Sequence, residues 1–249
     1  MNITVAHDSA TFETAAAWAI INQICAKPDS VIGLSTGRTT GNIHRLIARL
    51  HKELNFDVSR VTFFGLDEVM NVPREYAGAC YTMLKTELMD SLGVKEENFL
   101  MLPTMSDDFH AACEEFRAEL SKRGGIDLLM LGLGENGHLG FNQPGSPLGA
   151  TAWCASMDER LEERIRRETT TPDNVALGGV TLGIRDIMRA RSLVLVANGA
   201  NKRQAVKEML CGPVDTRCPA SVLQLHPHCE FLLDDASAAD IDVDKLRTL

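Results

Sequence analysis

The chain has 249 residues, 45% of them hydrophobic, enough to bury the core of one large α/β domain or two small ones, and it has no apolar run long enough to span a membrane. A net charge of −9 excludes nucleic-acid binding through general electrostatics and means that any phosphorylated ligand needs a local cationic pocket. The seven cysteines are scattered and never spaced CxxC, which fits neither a disulfide framework nor structural zinc, and MNITVAHDSATFE lacks a signal-peptide pattern, so a cytoplasmic protein is expected.

Asn2 to Ala6 reads as a short strand, and Asp8 or Ser9 can cap a helix running to about Cys25. After a turn at Lys27-Pro28-Asp29 comes a buried strand, Val31 to Leu34. The loop Ser35-Thr36-Gly37-Arg38-Thr39-Thr40-Gly41 then opens a helix to about Leu50. A third strand, Arg60 to Gly65, ends in Leu66-Asp67-Glu68 and gives way to a proline-containing loop. Helices follow around Cys80 to Ser91 and over Asp107 to Lys122, with a short strand at Phe99 to Leu102 between them. Ile126 to Leu133 is almost continuously apolar, as a strand covered on both faces should be. It breaks into a loop containing Gly132, Gly134, Gly137 and Gly140. Asp158 to Glu168 (DERLEERIRRE) reads as a solvated helix, and 151–175 as a whole as a lid. Val180 to Gly183 is extended, Ser192 to Ala197 a strand, Asn201 to Leu210 a helix, Pro219 to Leu225 a helical turn and Glu230 to Leu233 a last strand before a polar tail. Strands alternate with helices throughout. The expectation is one α/β domain over 1–249: three layers, a mostly parallel Rossmann-like sheet with helices on both faces.

Four places can carry chemistry. The loop 35–41 joins a buried strand to a helix start and so offers backbone N–H groups, hydroxyls and the positive end of a helix dipole to a phosphate. It is no nucleotide P-loop, because GxxxxGK[ST] is absent; a plain capped helix start is the alternative. Asp67-Glu68 ends a strand and can supply a general base or an ordinary capping acid. His138 lies beyond the carboxyl end of the central strand, where ligands bind in open α/β sheets; a surface turn is its alternative. With Asp67 it gives two proton-transfer groups of different pKa, as sugar ring opening and enolisation require. Lys202, after Ala197-Asn198-Gly199-Ala200-Asn201, sits at another strand-to-helix junction and can bind phosphate together with an arginine from the charged 160s segment.

Taken together, LSTGRTTGNIH (34–44), VTFFGLDEV (61–69), LLMLGLGENGHLGFNQPGSPL (128–148), VTLGI (180–184), NGANKRQAV (198–206) and PASVLQLHP (219–227) resemble the glucosamine-6-phosphate deaminase/isomerase family, including its galactosamine-6-phosphate branch, over nearly the whole chain and in the same order. The related 6-phosphogluconolactonases share the glycine–histidine core but continue into a Ser-Leu-Phe-Pro segment that this chain lacks. The resemblance implies conversion of an amino-sugar 6-phosphate to a ketose 6-phosphate and ammonia, with no metal or organic cofactor. It implies that Asp67 moves the proton between C1 and C2, that His138 assists ring opening, and that Asn136 and Gln143 flank that histidine. Ser35, Thr36, Gly37, Arg38 and Thr39 match the sugar-phosphate cradle, Lys202 a phosphate-binding lysine, and Arg166 (or Arg167) a phosphate-binding arginine; Glu68 and Gly137 complete the expected substrate-binding set. Relatives occur as monomers and as larger rings, so a homo-oligomer stays open.

Two departures bear on activity. The family's aspartate two residues before the histidine is Asn136 here, and its Phe-Asn-Glu-Pro glutamate is Gln143. An amide can orient an imidazole, but it forgoes about 1–3 kcal/mol of charge-assisted stabilisation of the imidazolium. The basic residues of the allosteric site in hexameric relatives are not evident in TAWCASM (151–157), so activation by an acetylated amino-sugar phosphate is not expected. The alternatives are an isomerase or lactonase for another phosphosugar, or a sugar-phosphate-binding protein with weakened catalysis.

Overall fold

The apolar run at residues 128–131 is buried at every position in the computed structural model, which describes residues 1–247. It belongs to a chain whose strands are β1 (Asn2–Ala6), β2 (Val31–Leu34), β3 (Thr62–Gly65), β4 (Asp67–Met70), β5 (Phe99–Leu100), β6 (Leu128–Gly132), β7 (Trp153–Ala155), β8 (Gly178–Thr181), β9 (Ser192–Ala197) and β10 (Cys229–Asp234). The helices are α1 (Ser9–Ala26), α2 (Arg38–Leu54), α3 (Cys80–Leu84), α4 (Asp90–Leu92), α5 (Phe109–Lys122), α6 (Glu159–Thr169), α7 (Ile184–Ile187), α8 (Arg203–Cys211), α9 (Asp235–Ala238) and α10 (Val243–Arg247). A π-helical turn, Lys85–Met89, joins α3 to α4.

Alternation along the central strand explains the three layers. Leu128 and Met130 pack with Ile20, Ile24, Ile43 and Ile47 of α1 and α2 on one face. Leu129 and Leu131 pack with Phe116, Leu120, Val206 and Met209 of α5 and α8 on the other. Both faces being covered, no polar residue is tolerated between them.

The large sheet has seven strands in the order β1-β10-β9-β6-β2-β3-β5, and every pairing in it is parallel. From β2 the chain builds outward through β3 to β5, then returns to β6 and builds the other way. The order therefore reverses between β2 and β6, and the crevice beyond their carboxyl ends is the expected ligand position. The expected α/β sandwich is what the structure has.

Three local differences matter. Asp67 to Met70, expected as a strand end running into a loop, is a strand of a second, antiparallel sheet, β4-β8-β7. Leu66 is the junction: its N–H donates to Leu34 O at 2.9 Å in the large sheet, and its carbonyl accepts from Leu182 N at 3.0 Å beside the small one. The expected lid divides: Trp153–Ala155 is the edge of the small sheet, and α6 packs through the buried Ile165 against Val69, Val72, Phe141 and Ala155. The polar tail contains the short helices α9 and α10.

Candidate active site

Three loops meet at the switch point. The first follows β2. Ser35 Oγ accepts a hydrogen bond from Gly132 N at 2.9 Å, and Ser35 N donates to Met130 O at 3.2 Å, so this loop is laced to the end of β6. Gly37, at φ +145°, turns the chain into α2 in a conformation side chains rarely adopt. The first-turn N–H groups of α2 are thereby left at the rim, with Arg38 exposed beside them. The second loop follows β9. Asn198 Oδ1 accepts from Thr39 Oγ1 at 2.6 Å, and Asn201 Nδ2 donates to Glu135 Oε1 at 2.7 Å, tying this loop to both of the others. Lys202, half-buried here, has its pKa lowered by desolvation and by the Arg38 charge, with Glu135 opposing. A lysine whose charge is disfavoured by burial and by a neighbouring cation is relieved by an anion bound between them.

The third loop follows β6 and presents His138. Asn136 Oδ1 lies 2.7 Å from His138 Nδ1 and also accepts from His138 N at 3.3 Å, while Asn136 Nδ2 donates to Gln143 Oε1 at 3.0 Å. The amide polarity set by Gln143 makes Nδ1 the protonated nitrogen and leaves Nε2 as a lone-pair acceptor. Among the described residues Nε2 has no hydrogen-bond partner. Desolvation and the Lys202 charge lower the pKa of His138, opposed by Asp158 and Glu135, so it is neutral at pH 7. Asn142, wholly buried, fastens the loop by donating to Leu139 O at 2.9 Å and Leu182 O at 2.8 Å and accepting from Trp153 Nε1 at 3.0 Å.

Asp67 faces this loop from the small sheet. Gly140, at φ +56°, passes so close that a Cβ there would lie 2.8 Å from Thr181 Oγ1 and 3.0 Å from Asp67 Oδ2. Only glycine lets the histidine loop and the carboxyl approach like this. Asp67 is 8% exposed. Desolvation and the neighbouring Glu68 raise its pKa to about 7, with a hydrogen bond from Cys80 opposing. A carboxyl of that pKa can both take and return a proton near neutrality.

Two expected site residues are drawn into other partnerships. Both oxygens of Glu68 are taken up by backbone: Oε1 accepts from Val69 N and Cys80 N, each at 2.7 Å, and Oε2 from Tyr81 N at 2.8 Å. Glu68 thus caps the start of α3 instead of facing the crevice. Arg166 donates to the carbonyls of Pro172 and Val175 and pairs with Glu162 at 2.7 Å, closing the end of α6. Arg167, next to it, is exposed and has no ion pair among the described residues. Gly137 lies in the His138 loop at φ +82°, packed against Cys218. The residues that sequence reasoning passed over are Cys80, Glu135, Asn142, Thr181 and Asn198. All but Cys80 lie within the motifs named above, and the value of Asn142 and Asn198 shows only once their carbonyl and hydroxyl partners are in place. Among the described residues no group of three or more His, Cys, Asp or Glu side chains converges to hold a metal ion, and no helix is long and apolar enough to cross a membrane.

A carboxyl and an imidazole able to transfer protons, beside a cationic rim at the switch point of a doubly wound sheet, form an arrangement suited to acid–base chemistry on a small anionic ligand. Residues 7–231 match the family model described as glucosamine-6-phosphate isomerases/6-phosphogluconolactonase, and the chain belongs to that family. It is 33% identical to the glucosamine-6-phosphate deaminase of Halothermothrix orenii over 96% of this chain and 99% of that one. It is 35% identical to that of Pseudarthrobacter chlorophenolicus over 96% and 92%. Among solved structures it resembles a monomeric glucosamine-6-phosphate deaminase, with a TM-score of 0.88 and 27% identity over 96% of this chain and 99% of the other. The 6-phosphogluconolactonase of Trypanosoma cruzi shares the fold at a TM-score of 0.78 and 20% identity, over 96% of each chain.

Proposed function

We propose that this enzyme converts an amino-sugar 6-phosphate, a glucosamine or galactosamine 6-phosphate, into the ketose 6-phosphate and ammonia. The observation that carries the reading is what meets at one loop: a carboxyl of near-neutral pKa packed against Gly140 and, two residues earlier in the same loop, an imidazole whose Nε2 has no hydrogen-bond partner among the described residues.

The phosphate sits at the start of α2, on the N–H groups beyond Gly37, the hydroxyl of Ser35, and the charges of Arg38 and Lys202, while the Thr36 hydroxyl is held by Cys80. Thr39 acts through Asn198. Arg166 reaches the phosphate only by exchanging its present carbonyl and Glu162 contacts for phosphate oxygens, and so belongs to a closed state of the 158–175 segment. His138 Nε2, being neutral, takes the anomeric hydroxyl proton as the C1–O5 bond breaks, and returns it to O5. The open 2-amino aldehyde then loses its C2 proton to Asp67, which delivers it to C1, while a proton passes from the amine nitrogen to O1. The resulting C2 imine adds water and releases ammonia, leaving the ketose. The Asn136–Gln143 pair holds the imidazole through neutral amides, so the site works with imidazole more readily than with imidazolium.

The test is ammonia release from glucosamine, galactosamine and mannosamine 6-phosphates, with the ketose 6-phosphate assayed in parallel. Release with at least one epimer, matched by equal ketose, is expected. Ketose without ammonia, lactone hydrolysis alone, or binding without turnover would each overturn the reading.

A further inference from the structure

Cys80 lies at the first position of α3, 5% exposed, with its backbone fixed because its N–H donates to Glu68 Oε1. Its side chain stands between two parts of the site, the loop after β2 and the Asp67 carboxyl. Thr36 Oγ1, in the loop after β2, donates to Cys80 Sγ at 3.2 Å. Cys80 Sγ in turn donates to Asp67 Oδ1 at 3.6 Å. Among the described residues this is the only hydrogen bond the Asp67 carboxyl receives.

We propose that Cys80 is a positioning residue for the Asp67 base: its thiol bridges Thr36 and the carboxylate, fixing the carboxylate's orientation and setting its proton affinity. The proposal rests on Asp67 acting as the base in the reading above. The chemistry of sulfur makes the bridge informative. Burial and the neighbouring Asp67 and Glu68 carboxyls hold the thiol far above its ordinary pKa, so it stays an S–H donor. A thiol is a weak donor, strong enough to orient an oxygen but too weak to pull the carboxyl back to an ordinary acid. A full-strength hydroxyl or amide donor at the same place would favour the ionised form more and cost the base its basicity. The longer C–S bond also brings the sulfur nearer the carboxylate than a serine oxygen would come. The bridge further joins the base to a loop hydroxyl beside the phosphate site, so base and anchor keep one register.

The test is the titration midpoint of the Asp67 carboxyl by carbon-13 NMR, its signal identified by loss in Asp67→Asn, together with kcat and KM across pH. In Cys80→Ala the midpoint is expected to rise by about 0.5 pH unit, because a donor to the ionised form has gone. The acid limb of kcat/KM should move with it. At pH 7 kcat should fall roughly two- to fivefold with KM nearly unchanged. Cys80→Ser, which keeps a donor on a shorter bond, should lie between the parent and Cys80→Ala, and decides the matter alone if the alanine variant does not fold. A midpoint that stays in place in the folded variant, or an effect confined to KM, overturns the proposal. If the parent releases no ammonia while the midpoint still moves, the deaminase reading fails and the bridge stands. If ammonia is released and the midpoint is fixed, the reverse holds.

Discussion

In the proposed reaction Asp67 takes a proton from carbon, and burial and the adjacent Glu68 give it a greater proton affinity than an ordinary aspartate. The working form is the ionised one, so kcat/KM is expected to climb as pH rises through about 7. The same shift bears on stability with a definite sign. The unfolded chain ionises Asp67 near 3.8, whereas the folded chain holds the proton to about 7. Between those values stability falls as pH rises, and above them the full cost is present. Asp67→Asn should therefore lower kcat by about 100-fold or more with little change in KM. It should also raise the melting temperature, by more at pH 8 than at pH 5. A variant destabilised equally at both pH values would show that the buried charge costs nothing. His138 argues in the other direction: its hydrogen-bonded flanks are amides, which orient the imidazole without adding a charge that would favour a second proton. Restoring carboxylates with Asn136→Asp and Gln143→Glu should raise turnover on glucosamine 6-phosphate roughly tenfold, the scale of one charge-assisted hydrogen bond. A double variant no faster than the parent would mean that the amides do not limit it.

At the level of elements, the phosphate loop is only as fixed as α2, and α2 is gripped at its first turns by Glu87 from the π-helical turn. Glu87 Oε2 lies 3.0 Å from His44 Nδ1, Oε1 accepts from Arg45 Nη1 at 3.0 Å, and a Cβ at Gly41 would fall 2.6 Å from Oε1. His44 is wholly buried and its Nε2 has no partner, so Glu87 satisfies its only bonded nitrogen. Glu87→Ala should cost about 2–3 kcal/mol by chemical denaturation, the penalty of orphaning a buried polar group. It should also raise KM for the phosphosugar more than it lowers kcat. An unchanged denaturation midpoint would remove the anchor. None of this was legible in the sequence, where Glu87 is one of two acids in the helix expected around Cys80 to Ser91. What was legible depended on pattern. β6 is apolar throughout because both its faces are covered, and the loops after β2, β6 and β9 announce themselves by glycine, hydroxyl and asparagine at strand ends. β4 was hidden because two of its three buried positions are Asp67 and Glu68, carboxyls that no hydrophobic alternation marks. β7 is three residues long and mixed in burial. Cys80 reads as a small core residue until Thr36 and Asp67 are seen on either side of it.

The whole molecule separates its two rims, as a parallel sheet permits. The carboxyl ends of the strands carry loops held by weak or strained devices: a glycine at φ +56°, a thiol bridge, an acid kept from ionising. The amino ends carry the opposite kind of arrangement. Asp127, 4% exposed and just ahead of β6, accepts from Lys27 Nζ at 2.6 Å, Val31 N at 2.9 Å and Arg191 Nη1 at 2.9 Å. One carboxylate thus joins the end of α1 and the starts of β2, β6 and β9, the strands whose far ends hold the site. Asp127→Ala leaves Lys27 and Arg191 free to rehydrate, since both are partly exposed, but it orphans the Val31 N–H. The expected loss is therefore about 2–3 kcal/mol, below that of breaking a fully buried pair. Well below the melting temperature, kcat and KM should stay within about twofold of the parent, because Asp127 touches none of the three site loops. Denaturant unfolding and steady-state kinetics on the same preparation check both halves. A variant of parental stability, or one that loses activity while still fully folded, would show that the rims are coupled through the strands and that the division of labour does not hold.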